Sequence, residues 1–299
     1  MKVLVVGGTG FIGSKLATEL HERDHDVTVL SRNPGEADLP DDVARLKGDV
    51  TDYDSIEGAF EDQDAVYFLP ALSPLFEPDG GSEMHFEIHL QGTENAVRAA
   101  EEHGVDRFVQ MSALGADPTG PTAYTRAKGQ AEEVVRESEP EWTVFRPSVV
   151  FGDGGEFVPF TKKLAPPYVT PLPGGGKTRF QPIYVGDLVP MLADAIEDDA
   201  HVGQVYEVGG PEKLTLAEVA KRAHGAEGRS VNVFSVPMGL TKVGLGVGGR
   251  IPGFPLGSDQ YRSLQFDNVT DDNDVSALGR EETDLTTLSA YLGAGSGSR

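Results

Sequence analysis

An open α/β sheet, doubly wound, with a smaller C-terminal lobe, is the fold class this sequence predicts. Three observations predict it. Short apolar runs alternate with amphipathic stretches through the first half of the chain. A glycine-rich turn sits at the first strand–helix junction, and after about residue 150 prolines and glycines break the rhythm.

Residues 3–6, 27–30, 44–46, 65–69, 108–111 and 143–146 read as strands rich in Val, Leu and Phe. Helical patterns occupy 13–22, 54–60, 87–103 and 124–137. Strand, helix, strand at this spacing means parallel units with right-handed crossovers, and ligands then sit above the carboxyl ends of the strands. From Pro159 to Gly176 the chain reads as irregular; a helix over 187–197, a strand over 204–208 and a helix over 216–223 follow. Residues 1–155 are expected to form the main domain, with about 180–208 returning to it. Residues 156–179 and 209–292 are expected to form a substrate lobe that closes over the main domain. The glycine-rich stretch 239–257 reads as a mobile wall of that lobe, and 293–299 as a frayed polar tail.

Composition excludes several classes of function. With no cysteine, disulfides, thiolate–zinc sites, iron–sulfur clusters and cysteine nucleophiles are ruled out. His85 and His89 are four apart but lack an acidic third ligand at a matching spacing, so they read as two polar positions on a partly exposed helix and no metal is expected. The 48 acidic against 25 basic residues, a net charge of −23, repel nucleic acid and anionic lipid. The acids are spread along the chain and only ten of the basic residues are lysine, which favours a salt-rich cytosol over a basic partner protein. No run approaches the roughly 18 apolar residues of a transmembrane helix, and the apolar N-terminus leads into glycines, so a cytoplasmic protein is expected.

Gly7-Gly8-Thr9-Gly10-Phe11-Ile12-Gly13 follows a strand and opens a helix, the placement that makes a glycine motif a dinucleotide-binding, Rossmann-type turn. Gly7 permits the tight turn, Gly10 lets backbone approach a pyrophosphate, and Gly13 allows close packing of helix on strand. After the second strand come Ser31-Arg32-Asn33, with no acid to bind a ribose 2′-hydroxyl. Arg32 suits a 2′-phosphate, so NADP(H) is favoured over NAD(H); as a plain loop residue it would be merely solvated. Asp49, before Val50, is placed either to bind the adenine amino group or to hold the turn before Thr51-Asp52. Leu69, Pro70 and Pro147, at the ends of later strands, complete the expected cofactor site.

Tyr124 and Lys128 share a helix face, the geometry for a phenol whose proton is shared with substrate while an ammonium lowers its pKa. Lys128 also suits the nicotinamide ribose. Ser112, past the strand 108–111, would orient a substrate carbonyl or hydroxyl. The alternative is a tyrosine and a lysine exposed on a surface helix.

Together with Gly92-Thr93, Asn95, 111–116, Phe145-Arg146-Pro147-Ser148, the run 177–187 and 206–211, these residues make the chain resemble the atypical, extended branch of the short-chain dehydrogenase/reductases. The branch includes the nucleotide-binding accessory subunit of respiratory complex I and its prokaryotic relatives, and the wider family includes sugar-nucleotide epimerases and dehydratases. The resemblance implies a nicotinamide dinucleotide site, two lobes, and a homodimer face on helices 87–103 and 124–137. The chain departs from the sugar-nucleotide enzymes in the short Ser112–Tyr124 spacing and the apolar Phe68–Leu72 strand end, so an apolar substrate near Pro74 and Phe76 fits better. Two readings remain open: an oxidoreductase transferring hydride to or from a small molecule, or a non-catalytic nucleotide-binding subunit peripheral to a respiratory complex.

Overall fold

The computed structural model describes residues 1–35, 37–236 and 258–295, and the chain divides into two compact units. The first comprises 1–72, 82–147 and 186–207; the second comprises 73–81, 148–185 and the chain from 208 onward.

The first unit is built on β1 (Lys2–Val6), β2 (Asp26–Ser31), β3 (Ala44–Lys47), β4 (Ala65–Phe68), β5 (Arg107–Met111), β6 (Glu141–Pro147) and the strand Gln204–Val208. The seven strands run side by side in the order Gln204–Val208, β6, β5, β4, β1, β2, β3. Pairing is parallel, with Val3 opposite both Val27 and Ala65, and Phe108 opposite both Val66 and Trp142. Val3 to Val6 are at most 1% exposed, which is why β1 is a continuous apolar run rather than an alternating one. β3 is the edge, and its exposed Arg45 and Lys47 discourage edge-to-edge pairing. β1 is followed in sequence by β2 on one side and flanked by β4 on the other, so the strand order reverses at β1.

Helix α1 (Phe11–Glu22) turns Leu16, Ala17 and Leu20 inward. A short α2 (Tyr53–Ile56) continues as a 3₁₀ turn, and a π-helical turn at Phe86–Gln91 runs into α3 (Gly92–His103). α4 (Ala123–Arg136) starts at Thr122, whose side chain and that of Thr125 cap each other's backbone N–H groups. Phe60, Phe68 and Phe108 are fully buried in one cluster with Leu4, Leu30 and Ile56, each phenyl ring stabilising the fold by about 2–3 kcal/mol.

In the second unit, strands Tyr168–Pro173 and Val231–Val236 pair in parallel, and helix Phe157–Leu164 packs on helix Leu216–Gly225. The irregular reading of 159–176 is thereby corrected. Pro159 lies in the first turn of its helix, where the missing N–H leaves no hydrogen bond broken. The chain leaves the first unit after Pro147, not 155, and re-enters at Gly186, not 180, because Val150–Phe151 pairs with Ile183–Tyr184. Residues 73–81 also belong to the second unit, where Phe76 packs edge-on against Phe160 at 5.2 Å. The segment read as a tail from 293 begins inside helix Leu288–Gly295, anchored by buried Leu288. The stretch 239–257 lies outside the described residues. Among the described residues, no helix is long and apolar enough to cross a membrane and no cluster could hold a metal ion.

Candidate functional site

At the end of β1 the Gly7 amide donates to the Leu30 carbonyl at 2.8 Å, and Gly7 turns the chain with a φ of +81°. A Cβ on Gly7 would stand 3.1 Å from Pro70 N and 3.3 Å from the Leu69 carbonyl carbon, so the β1 and β4 ends pack backbone to backbone. A Cβ on Gly13 would lie 2.3 Å from the Gly7 carbonyl oxygen; only glycine lets α1 sit down on the turn. Gly10 caps α1 without a side chain, and no acid occupies the first turn. The amides of Phe11, Ile12 and Gly13 therefore lack intrahelical acceptors beside an exposed glycine, which is a cradle for an anion. Thr9 stands half-buried in the same turn.

Beyond β2, the Ser31 hydroxyl oxygen is buried with no hydrogen-bond partner, and Arg32 next to it is exposed with no ion pair among the described residues. Asp49 is more committed. Its Oδ1 accepts from the Thr51 amide at 3.0 Å and the Thr51 hydroxyl at 2.8 Å, the turn-holding alternative. Val50 is buried, its carbonyl accepts from Asn95 Nδ2 at 2.8 Å, and a Cβ at Gly92 would lie 2.9 Å from its side chain.

At the end of β5 the Ser112 amide donates to the Phe145 carbonyl, and the Leu114 amide to that of Pro147 at 3.0 Å, joining this turn to β6. The Ser112 hydroxyl donates to Glu132 Oε1 at 2.5 Å. Glu132, on α4, is fully buried and also accepts from Arg146 at 2.6 and 2.8 Å and from Arg136 at 2.7 Å. Its carboxylate is the chief cause holding the Arg146 guanidinium above its ordinary pKa. The Ser112 proton is therefore directed at Glu132, which leaves its oxygen as an acceptor. Glu132 was missed because, between Lys128 and Arg136, it reads like any charge on a solvated helix face.

Lys128 is buried, and its Nζ donates to the Met111 carbonyl at 2.7 Å. Burial lowers its pKa to about 7, against the opposing influence of Glu132. Tyr124, one turn earlier, has its phenol pushed up by burial, so the expected lowering by the neighbouring ammonium does not occur in the polypeptide alone. The loss of water around the phenol is what sets the direction.

His85 and His89 are 1% and 0% exposed, which overturns the partly exposed reading. Their rings stand edge-on to Tyr124 at 5.5 and 5.3 Å. Ser112 and Lys128 thus meet at the end of β5, whereas Tyr124 faces the two histidines. The alternative of an exposed surface pair fails, since Lys128 is buried and Tyr124 half-buried.

A family model described as NAD(P)H-binding matches residues 7–163. Subunit 9 of the alpha subcomplex of mitochondrial NADH dehydrogenase [ubiquinone] 1 from Arabidopsis thaliana is 31% identical, covering 94% of this chain and 73% of the relative. The 40 kDa subunit of mitochondrial NADH-ubiquinone oxidoreductase from Neurospora crassa is 25% identical, covering 96% and 77%. Among solved structures, UDP-glucose 4-epimerase from Thermotoga maritima shares the fold with a TM-score of 0.73, at 21% identity over 99% of this chain and 98% of that one. With a bare glycine cradle at the strand-order reversal and a matching family model over more than half its length, this chain belongs to the NAD(P)-binding, epimerase/dehydratase-like superfamily of short-chain dehydrogenase/reductases, an oxidoreductase lineage.

Proposed function

We propose that the protein is an NADP(H)-dependent oxidoreductase acting on a small, apolar carbonyl or enoyl compound, with Tyr124 as the proton-handling residue and Lys128 beside it. One observation carries the reading: the Lys128 amine is buried and, among the described residues, donates to one carbonyl, that of Met111, at the carboxyl edge of the sheet. Burying that charge costs stability, and hydroxyl acceptors of a bound ribose would reduce the cost.

The residues present fit a dinucleotide. The α1 amides and Gly10 suit its diphosphate, and Gly7, Thr9, Phe11, Ile12 and Gly13 shape that turn. The Ser31 hydroxyl and Arg32, neither with a partner among the described residues, suit a ribose bearing a 2′-phosphate, with NAD(H) the less favoured ligand. Val50, Leu69, Pro70 and Pro147 supply walls; Asp49 keeps one carboxylate oxygen outside its turn for the adenine. When bound, the nicotinamide supplies or accepts a hydride. The protein's own part is to hold a neutral phenol at Tyr124, from which a proton passes to a reduced substrate oxygen or carbon while Lys128 stabilises the phenolate. Ser112 serves as an acceptor, its own proton held by Glu132.

A second reading is favoured by the Ser112–Glu132–Arg146 tie and by the complex I relatives: a subunit that holds the nucleotide without turnover, associated with a respiratory assembly. Mass spectrometry of nucleotide released on denaturation tests the cofactor, with NADP(H) expected. Reduction of a carbonyl panel by NADPH then separates the readings. Turnover by wild type that is lost in Tyr124→Phe, with NADPH affinity kept, supports the enzyme; equal activity in both removes Tyr124 from the mechanism.

A further inference from the structure

His89 is held through both its ring and its backbone. Its Nε2 accepts the Leu72 amide hydrogen at 3.2 Å, just past the end of β4. Its backbone carbonyl accepts from the Thr93 hydroxyl at 2.7 Å, and that hydroxyl accepts from Gln110 Nε2 on β5 at 3.3 Å. Its ring lies edge-on to Tyr124 at an interplanar angle of 85°. A nitrogen that accepts an amide hydrogen carries no proton, so the neutral ring is protonated at Nδ1. Among the described residues that Nδ1 is buried and has no hydrogen-bond partner. A buried donor left unmet costs stability, which a fold tolerates where the donor has a use.

The surroundings agree. Burial first, then Lys128 on α4 and His85 just before the π turn, keep His89 neutral, and the titratable Tyr124 faces its ring. The buried carboxylate of Glu132, on the same helix as Lys128, is engaged by Ser112, Arg136 and Arg146. A π turn at Phe86–Gln91, of a kind often found at functional sites, carries His89, and His85 immediately precedes it.

We propose that His89 is a positioning residue for Tyr124: a neutral imidazole, anchored through Nε2 to the strand end, whose Nδ1–H serves the phenol side of the pocket. The inference rests on Tyr124 being the proton-handling group. It adds a residue that fixes the ring and supplies a hydrogen bond toward the phenol oxygen through an enclosed water.

Two substitutions separate anchor from donor. Asn places an amide where Nδ1 stands, and Gln places one where Nε2 stands. His89→Gln keeps an acceptor for Leu72 and removes the donor; His89→Asn does the reverse. Long-range proton–nitrogen correlation spectra of the wild-type protein should show His89 as the neutral Nδ1–H tautomer from about pH 5.5 to 8, against an ordinary midpoint near 6.5. With carbon-13 at tyrosine Cζ, the Tyr124 resonance, identified by its loss in Tyr124→Phe, should move by more than its linewidth in His89→Gln. It should return toward the wild-type position in His89→Asn. An Nε2–H tautomer, a Tyr124 signal unmoved in His89→Gln, or recovery by Gln and not Asn would overturn the proposal. The tautomer is read on the wild type, so an unstable variant does not remove the test. Calorimetric titration with NADPH is run alongside: no binding would sink the proposed function while leaving both spectra interpretable.

Discussion

Ser112 and Glu132 are joined by a 2.5 Å hydrogen bond that ties the end of β5 to the middle of α4, and the same carboxylate gathers Arg136 and Arg146. Removing one partner of a buried ionic group leaves the others uncompensated. Glu132→Ala is expected to lower unfolding free energy by about 3 kcal/mol, and Glu132→Gln by less, in urea denaturation. A loss under about 0.5 kcal/mol would mean the network is ornamental.

Gly13 and Gly10 are expected to behave differently. Gly13→Ala drives a methyl into the Gly7 carbonyl oxygen, so it should cost more than about 2 kcal/mol of stability. Gly10 has φ −74°, and its Cβ would meet only the Gly7 oxygen at 3.2 Å. Gly10→Ala should keep the melting temperature yet weaken nucleotide binding about tenfold, because the methyl stands where the diphosphate must approach. Thermal scans and calorimetry check both.

Arg32→Ala should weaken NADPH binding by about ten- to a hundredfold and leave NADH nearly unchanged, since only the former carries a 2′-phosphate. Parallel titrations decide; equal losses for both would assign Arg32 to general electrostatics.

The Lys128 pKa falls from 10.5 unfolded to about 7 folded. Between those values the unfolded chain binds the proton and the folded chain does not, so stability should rise as pH is raised from about 7 toward 10. Below about 7 both forms are protonated and the full penalty applies. Lys128→Met should therefore stabilise the ligand-free protein by about 1–3 kcal/mol at pH 6, while weakening nucleotide binding. Denaturant midpoints across pH measure it.

A net charge of −23 opposes both compaction and the approach of an anionic nucleotide. Raising salt from about 0.1 to 1 M should lift the melting temperature by several degrees and speed NADPH association, the reverse of the usual salt effect. Stopped-flow fluorescence reads the rate.

By itself the sequence determined the strand–helix alternation, the parallel sheet and the cofactor turn. Each rests on a local rule: Val3 to Val6 of β1 are all apolar because both faces are covered there, and Gly7, Gly10 and Gly13 at a strand end suit a tight turn into a closely packed helix. Lys128 was legible from its spacing to Tyr124. Only tertiary structure decided which polar groups are buried together. His85, His89 and Glu132 carry the same local signature as solvated helix residues, and only the packing of the π turn on α3 and α4, and of α4 on β5 and β6, removed their water. The strand hidden in the proline-rich stretch was likewise invisible, because its partner lies about sixty residues on and pairing energy comes from the neighbour, not from the segment. Periodicity reports which face a residue occupies; what covers that face depends on chain brought from far along the sequence.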